Sequence, residues 1–161
     1  MYATKYHRPS SLEAAAAALS GAGEGKLLSG GQTLLPTMKQ HLASPSDLID
    51  LRGIEGMTGV CVDGDVIVIG ATTTHAEVAS NADVNRLCPA LASLAGGIGD
   101  PAVRHMGTIG GSVANNDPAA DYPAGLTALG ATVSTNKRDI AADDFFTGLF
   151  MTALEDDEII T

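Results

Sequence analysis

The chain has 161 residues, 45% of them hydrophobic, enough to bury one substantial core, and its nine basic against nineteen acidic residues give a formal charge of −10. That balance repels phosphate backbones and anionic lipid and argues against nucleic acid or membrane partners. No apolar run reaches the length of a membrane span, and the N-terminal segment shows neither a charged n-region nor a cleavage pattern, so the expectation is a soluble cytoplasmic protein. Cys61 and Cys88 form no CxxC pair, and His7, His41, His75 and His105 lack ligand spacing. Neither a disulfide framework nor a metal site is expected within the chain.

In chain order, Ser10 and Glu13 read as a capping box opening the helix "SLEAAAAALSG", with Gly21 placed to end it. "KLL" reads as a short buried strand, followed by the pair Gly30–Gly31 and an amphipathic segment from Thr33 to Leu42. "DLIDL" reads as another strand. The β-branched runs on either side of Asp63 and Gly64 form the strongest hairpin signal, and the continuously apolar second run, Val66 to Ile69, reads as a central strand. Thr74 and Glu77 make a second capping box with a helix starting at His75, and a further helical stretch is expected from about Asp83 to Ala95, broken near Pro89.

The segment "AGGIGDPAVRHMGTIGGSVANNDPAADYPAG" is the least regular part of the sequence, yet it holds Ile98, Val103, Met106, Ile109 and Val113. A loop that is both glycine-rich and apolar is expected to pack against something rather than to act as a linker. Strands follow at "ATVST" and "RDI", then "ADDFFTGLFMTAL" as helix or loop, and "EIIT" reads as the first half of a strand. The hairpin and the helix start near Thr74 suit a boundary between a small N-terminal lobe, about 1–56, and a larger one, about 57–161.

"SGGQT" follows a strand and precedes a helix, and "GTIGGSVANN" offers a second site of the same kind. Glycine lets backbone N–H groups converge on a ligand with no Cβ in the way. Neither segment matches GxxxxGK[ST], and neither is a GxGxxG with an acidic residue about 20 positions on, so Walker and Rossmann readings both fail. Lys26 and Arg104 are the only nearby cations. A diphosphate here relies on backbone amides, a helix N-terminus and the hydroxyls of Thr33, Thr108 and Ser112. One isolated GG pair is more often a tight turn; two such segments point to an elongated polyphosphate ligand. Asp117 and Asp121 could share a helix face as an acid/base pair, but Asp-Pro favours Asp117 as a cap, while Asp121 can accept hydrogen bonds from a sugar hydroxyl. His105 reads as a loop residue without a role; Tyr122, Phe145 and Phe146 read as core.

"LLSGGQTLLPTMKQHL", "IGDPAVRHMGTIGGSVANNDPAADYPAGLTALGATV" and "FFTGLFMTALEDDEII", in that order, resemble the flavoprotein subunit of the molybdenum hydroxylases, the family of carbon monoxide dehydrogenase medium chains and the central segment of xanthine dehydrogenase. The resemblance runs from about Tyr6 to the last residue. It implies an α+β, two-lobed FAD-binding domain of the vanillyl-alcohol-oxidase (PCMH) type with FAD between the lobes. It also implies that Leu28, Ser29, Gly30, Gly31, Gln32, Thr33 and Leu34 surround the diphosphate, joined by Thr108, Gly110, Gly111 and Ser112. Asn115 and Asp121 fall on cofactor-contacting positions, Asp121 toward a hydroxyl, and Ile98 and Ile160 on apolar positions near the flavin.

In such enzymes a molybdopterin-binding large subunit oxidises the substrate, and an iron–sulfur small subunit passes the electrons to FAD and on to an external acceptor. Electron transfer needs position and tuning of the flavin, so no catalytic residue is named. The family's chains continue into a C-terminal domain, which this sequence is expected to lack as a truncated product or reduced homologue. Two other readings are a stand-alone flavin reductase and a cofactor-free assembly module kept for its subunit contacts.

Overall fold

The computed structural model describes residues 2–161. Strands β1 (Lys5–His7), β2 (Gly25–Leu28) and β3 (Asp47–Asp50) form a parallel sheet with β3 in the centre, Leu28 opposite Asp50 and His7 opposite Ile49. Parallel strands need crossover connections, and the alanine-rich helix α1 (Leu12–Ser20) carries the chain from β1 across to β2 on the other side of β3. Its N-cap is Ser11, whose hydroxyl accepts from the Ala14 N–H, so the expected box at Ser10 is shifted by one residue; Gly21 does end the helix. Helix α2 (Leu34–Lys39) follows β2 after a short loop.

Asp50 closes β3. Burial would raise its carboxyl pKa, but the Arg52 side chain, the Tyr6 hydroxyl and the Arg52 backbone N–H outweigh that and hold it at about 2. A folded-state pKa below the unfolded value stabilises the fold above the unfolded pKa, and that stability is lost as pH falls through the folded one. Urea denaturation is therefore expected to show stability falling as pH drops from about 4 toward 2. Asp50→Asn, whose side-chain site is only 1% exposed, is expected to cost about 2 kcal/mol at pH 7 and to lose this carboxylate's share of the acid dependence.

Beyond a short 3-10 turn at Leu51–Gly53, β4 (Val60–Asp63) and β5 (Val66–Ile69) form an antiparallel hairpin. Gly64 is the first central residue of its turn, with φ +58°, as a II′ turn requires. The expected central position of β5 is wrong: the sheet has only these two strands, and Val66 (59% exposed) and Val68 (48%) face solvent. The other face, with Val60, Ile67 and Ile69, packs on the core, so an apolar run here marks a hairpin covered on one side.

Helix α3 (His75–Ser80) starts with the full Thr74–Glu77 capping box, and α4 (Ala82–Leu87) and α5 (Pro89–Gly97) break at Cys88 with Pro89 in the first turn. The stretch expected to be irregular is mostly helical: α6 (Pro101–Met106), α7 (Ile109–Asn115) and α8 (Tyr122–Ala128). Caps at Asp100 and Thr108 and prolines in the first turns of α6 and α8 define helices too short for periodicity to reveal. His105 lies on α6 and bonds the Pro101 carbonyl through Nδ1. Asp117 accepts the Ala119 N–H in a turn and Asp121 precedes α8, so the two carboxylates do not share a helix face.

The chain ends in β6 (Thr132–Ser134), β7 (Asp139–Ala141), α9 (Ala142–Phe145), β8 (Phe146–Gly148) and β9 (Met151–Thr152). Residues 159–161 then pair against β6 and its turn, with Ile160 bridging Thr135 and the Thr161 N–H donating to Ser134. This mixed α+β chain buries one cluster around Val84, Val113, Tyr122 and Phe145 and a second around Ile49, Leu51, Met57 and Ile159; Ile160 touches both. No described helix is long and apolar enough to cross a membrane.

Candidate functional site

The segment after β2 meets the start of α7. A Cβ built on Gly30 would lie 2.2 Å from the Met106 carbonyl oxygen and 2.6 Å from the Gly107 Cα, so only glycine allows this approach. The Ser29 and Thr108 hydroxyls bond across the joint at 2.9 Å. Behind it, residues 71–75 run along 107–110: the His75 N–H donates to Gly107, Ile109 to Thr73 and Gly110 to Ala71.

A cleft of about 910 Å³ opens on this joint, at the upper end of the usual size for ligand sites. Its lining contains the residues that the family resemblance places at the cofactor: Leu28, Ser29, Gly30, Gly31, Gln32, Thr33, Leu34, Ile98, Thr108, Gly110, Gly111, Ser112, Asn115, Asp121 and Ile160. The two glycine segments differ in what they offer. In the first, Gly31 takes φ +73°, and the N–H groups of Gly31, Gln32 and Thr33 have no acceptor among the described residues. Consecutive free amides around a left-handed residue form an anion-binding concavity.

The second segment is the first turn of α7, where the expectation of free amides fails. Ile109 and Gly110 donate to neighbouring carbonyls, and the Gly111 N–H is taken by the Thr108 hydroxyl at 3.2 Å. What remains is shape and a hydroxyl. A Cβ on Gly111 would approach nothing but Thr108 Oγ1 within 4 Å, at 2.9 Å, so this position leaves open space, and Ser112 stands beside it.

Charge in the cleft is mainly acidic. Lys26 is the one Lys or Arg in its lining, against Asp117, Asp121, Glu155, Asp156 and Glu158. Arg104, expected near the second segment, instead donates to the Ile98 and Gly99 carbonyls and steadies that wall. The Asp121 carboxylate makes no capping bond and is free to accept from a hydroxyl.

Glu158 is fully engaged. The Arg138 guanidinium, with the Glu155 N–H and the Thr135 hydroxyl, holds its carboxyl at about 2 against the opposing effect of burial. This anchor fixes the turn from which Ile159 enters the second core cluster and Ile160 the cleft wall. Sequence reading missed the contributions of Ala71, Thr72, His75 and Glu158. Only the capping box beside His75 hinted that this segment ends at a fixed point.

These features fit a dinucleotide such as FAD: a volume suited to a large ligand, free amides for a diphosphate, an unblocked glycine face, an unengaged carboxylate and apolar walls at Ile98 and Ile160. The family described as "FAD binding domain in molybdopterin dehydrogenase" matches residues 2–161. The chain is 40% identical over 163 residues to the nicotine 6-hydroxylase medium subunit of Paenarthrobacter nicotinovorans, covering 99% of this chain and 58% of that one. It is 43% identical over 162 residues to the carbon monoxide dehydrogenase medium chain of Afipia carboxidovorans, covering 97% and 56%. Among solved structures, a carbon monoxide dehydrogenase from Hydrogenophaga pseudoflava lacking the Mo-pyranopterin moiety superimposes with a TM-score of 0.96 at 40% identity, over 99% of this chain and 57% of that one. The chain thus spans a little over half the length of these relatives.

Proposed function

The chain belongs to the FAD-binding domains of molybdopterin dehydrogenases, and we propose that its cleft holds the FAD diphosphate on the free amides of Gly31, Gln32 and Thr33. Those unpaired donors are the observation that carries the reading, because a cleft so poor in cations needs neutral donors to accept a diphosphate. Gly111 and Ser112 border the same ligand, Asn115 and Asp121 meet its polar groups, and Ile98 and Ile160 flank the flavin. When bound, FAD supplies reversible electron uptake. The protein's part is to orient it and limit its contact with water.

The chain serves within an oxidoreductase as the flavin-carrying part of a molybdenum hydroxylase, receiving electrons from an iron–sulfur small subunit and passing them to an external acceptor. A molybdopterin-binding large subunit oxidises the substrate. That the relatives carry the names medium subunit and medium chain supports this placement. Co-expression with the iron–sulfur and molybdenum subunits from the same source tests it. The expected result is one co-eluting assembly carrying flavin. Assembly that takes up no flavin would favour a cofactor-free module, and a flavin-loaded chain that joins no partner would favour a stand-alone reductase.

A further inference from the structure

One cleft-lining side chain has no part in the reading above. His75 is 4% exposed, and its imidazole stacks on the buried Tyr122 ring, with Nδ1 3.2 Å from the tyrosine oxygen. The Tyr122 O–H has no other partner among the described residues, and with that O–H donating to Nδ1 the ring's proton sits on Nε2. Nε2 itself has no protein partner, yet no sealed polar side-chain atom among the described residues is left unpaired. This nitrogen is therefore open, and the cleft is the cavity that His75 lines.

Gly107 leaves room beside it. Its backbone, φ −65° and ψ 146°, suits any residue, so the conformation does not require glycine. A Cβ there would lie 2.8 Å from both His75 Nε2 and the Val103 carbonyl oxygen, and 3.0 Å from His75 Cδ2, so it would crowd the imidazole edge as well as the end of α6. Gly107 belongs to the same joint that Gly30 packs against, which places the open N–H beside the meeting point of the two glycine segments.

We propose that His75 is a further cofactor contact, its Nε2–H donating a hydrogen bond to an oxygen of the ligand at the joint between the two glycine segments. The inference rests on the FAD reading of the cleft. Burial lowers the imidazole pKa to about 4, so the donor is neutral at physiological pH, like the amides and hydroxyls around it. A cation-poor cleft thereby gains a donor without a buried charge.

Two variants separate this contact from a structural role. His75→Asn keeps an acceptor near Nδ1 for Tyr122 but has nothing in place of Nε2; His75→Gln keeps a donor near Nε2 and gives up the tyrosine's partner. FAD binding is read by quenching of flavin fluorescence, stability by thermal unfolding, and the wild-type Nε2–H by ¹⁵N NMR of the histidines. His75→Asn is expected to weaken FAD binding by about tenfold or more. His75→Gln is expected to lose stability while retaining more affinity than His75→Asn, and the wild-type Nε2–H resonance should shift on saturation with FAD. Wild-type binding with unchanged affinity in His75→Asn and an unmoved resonance would overturn the contact alone. No binding by the wild-type chain would overturn the FAD reading and the contact with it.

Discussion

Gly111→Val is expected to weaken FAD binding on the order of a hundredfold, about 2.7 kcal/mol, while costing the fold about 1 kcal/mol at the α7 cap. Position 111 is exposed, lies in the first turn of α7 and lines the cleft. A Cβ there would crowd only the Thr108 hydroxyl, and the valine methyls would occupy space that the fold leaves empty. The fold is affected only at the cap: the buried Thr108 hydroxyl, which holds the Gly111 N–H and bonds Ser29, must shift, while the Ile109 and Gly110 amides stay held by Thr73 and Ala71. Affinity equal to wild type, measured by flavin fluorescence alongside thermal unfolding, would remove Gly111 from the ligand's path.

Gly30→Val is expected to behave differently, losing both stability and FAD binding. Its Cβ would lie 2.2 Å from the Met106 carbonyl oxygen and 2.6 Å from the Gly107 Cα, and backbone cannot swing aside as a side chain can. Relief requires the two segments to separate, which breaks the Ser29–Thr108 hydroxyl bond and leaves Thr108 less well fixed. Overpacking against backbone at a buried joint is expected to cost about 3 kcal/mol or more. A denaturation midpoint within experimental scatter of wild type would show that this joint is looser than the geometry implies. The two variants form a contrast: one blocks the ligand at a small cost to the fold, whereas the other forces two backbone segments apart.

Local signals carried much of this architecture. The Thr74–Glu77 box, the hairpin near Gly64 and the break at Pro89 are set by a few neighbouring residues; the box and the break appear where the sequence places them, and the hairpin turn falls one residue later, at Gly64 and Asp65. Burial was less legible. Val66 to Ile69 looks central from composition, but whether a strand is covered on one face or two depends on what the rest of the chain brings to it.

The short helices α6 to α8 were hidden for a different reason. Six or seven residues give too few turns for a periodic pattern, and their glycines answer to tertiary approaches, as Gly110 does to Ala71 and Gly125 to Leu94. In the candidate site, the residues singled out do converge on one cleft, yet the sequence could not distinguish the free amides of the first segment from the occupied ones of the second. That difference depends on where the 71–75 carbonyls come to lie. His75 and Glu158 were invisible for the same reason, since their partners, Tyr122 and Arg138, are distant in sequence.

The central claim is that this cleft holds FAD on the amides of the first glycine loop. The most direct test is to titrate FAD into the purified chain, following the quenching of flavin fluorescence, with ADP as a competitor carrying the same diphosphate. The account predicts saturable uptake of one FAD per chain, displaced by ADP and not weakened by added salt, because the donors are neutral and the cleft is acidic. No saturable uptake, or uptake that ADP leaves untouched, would contradict it.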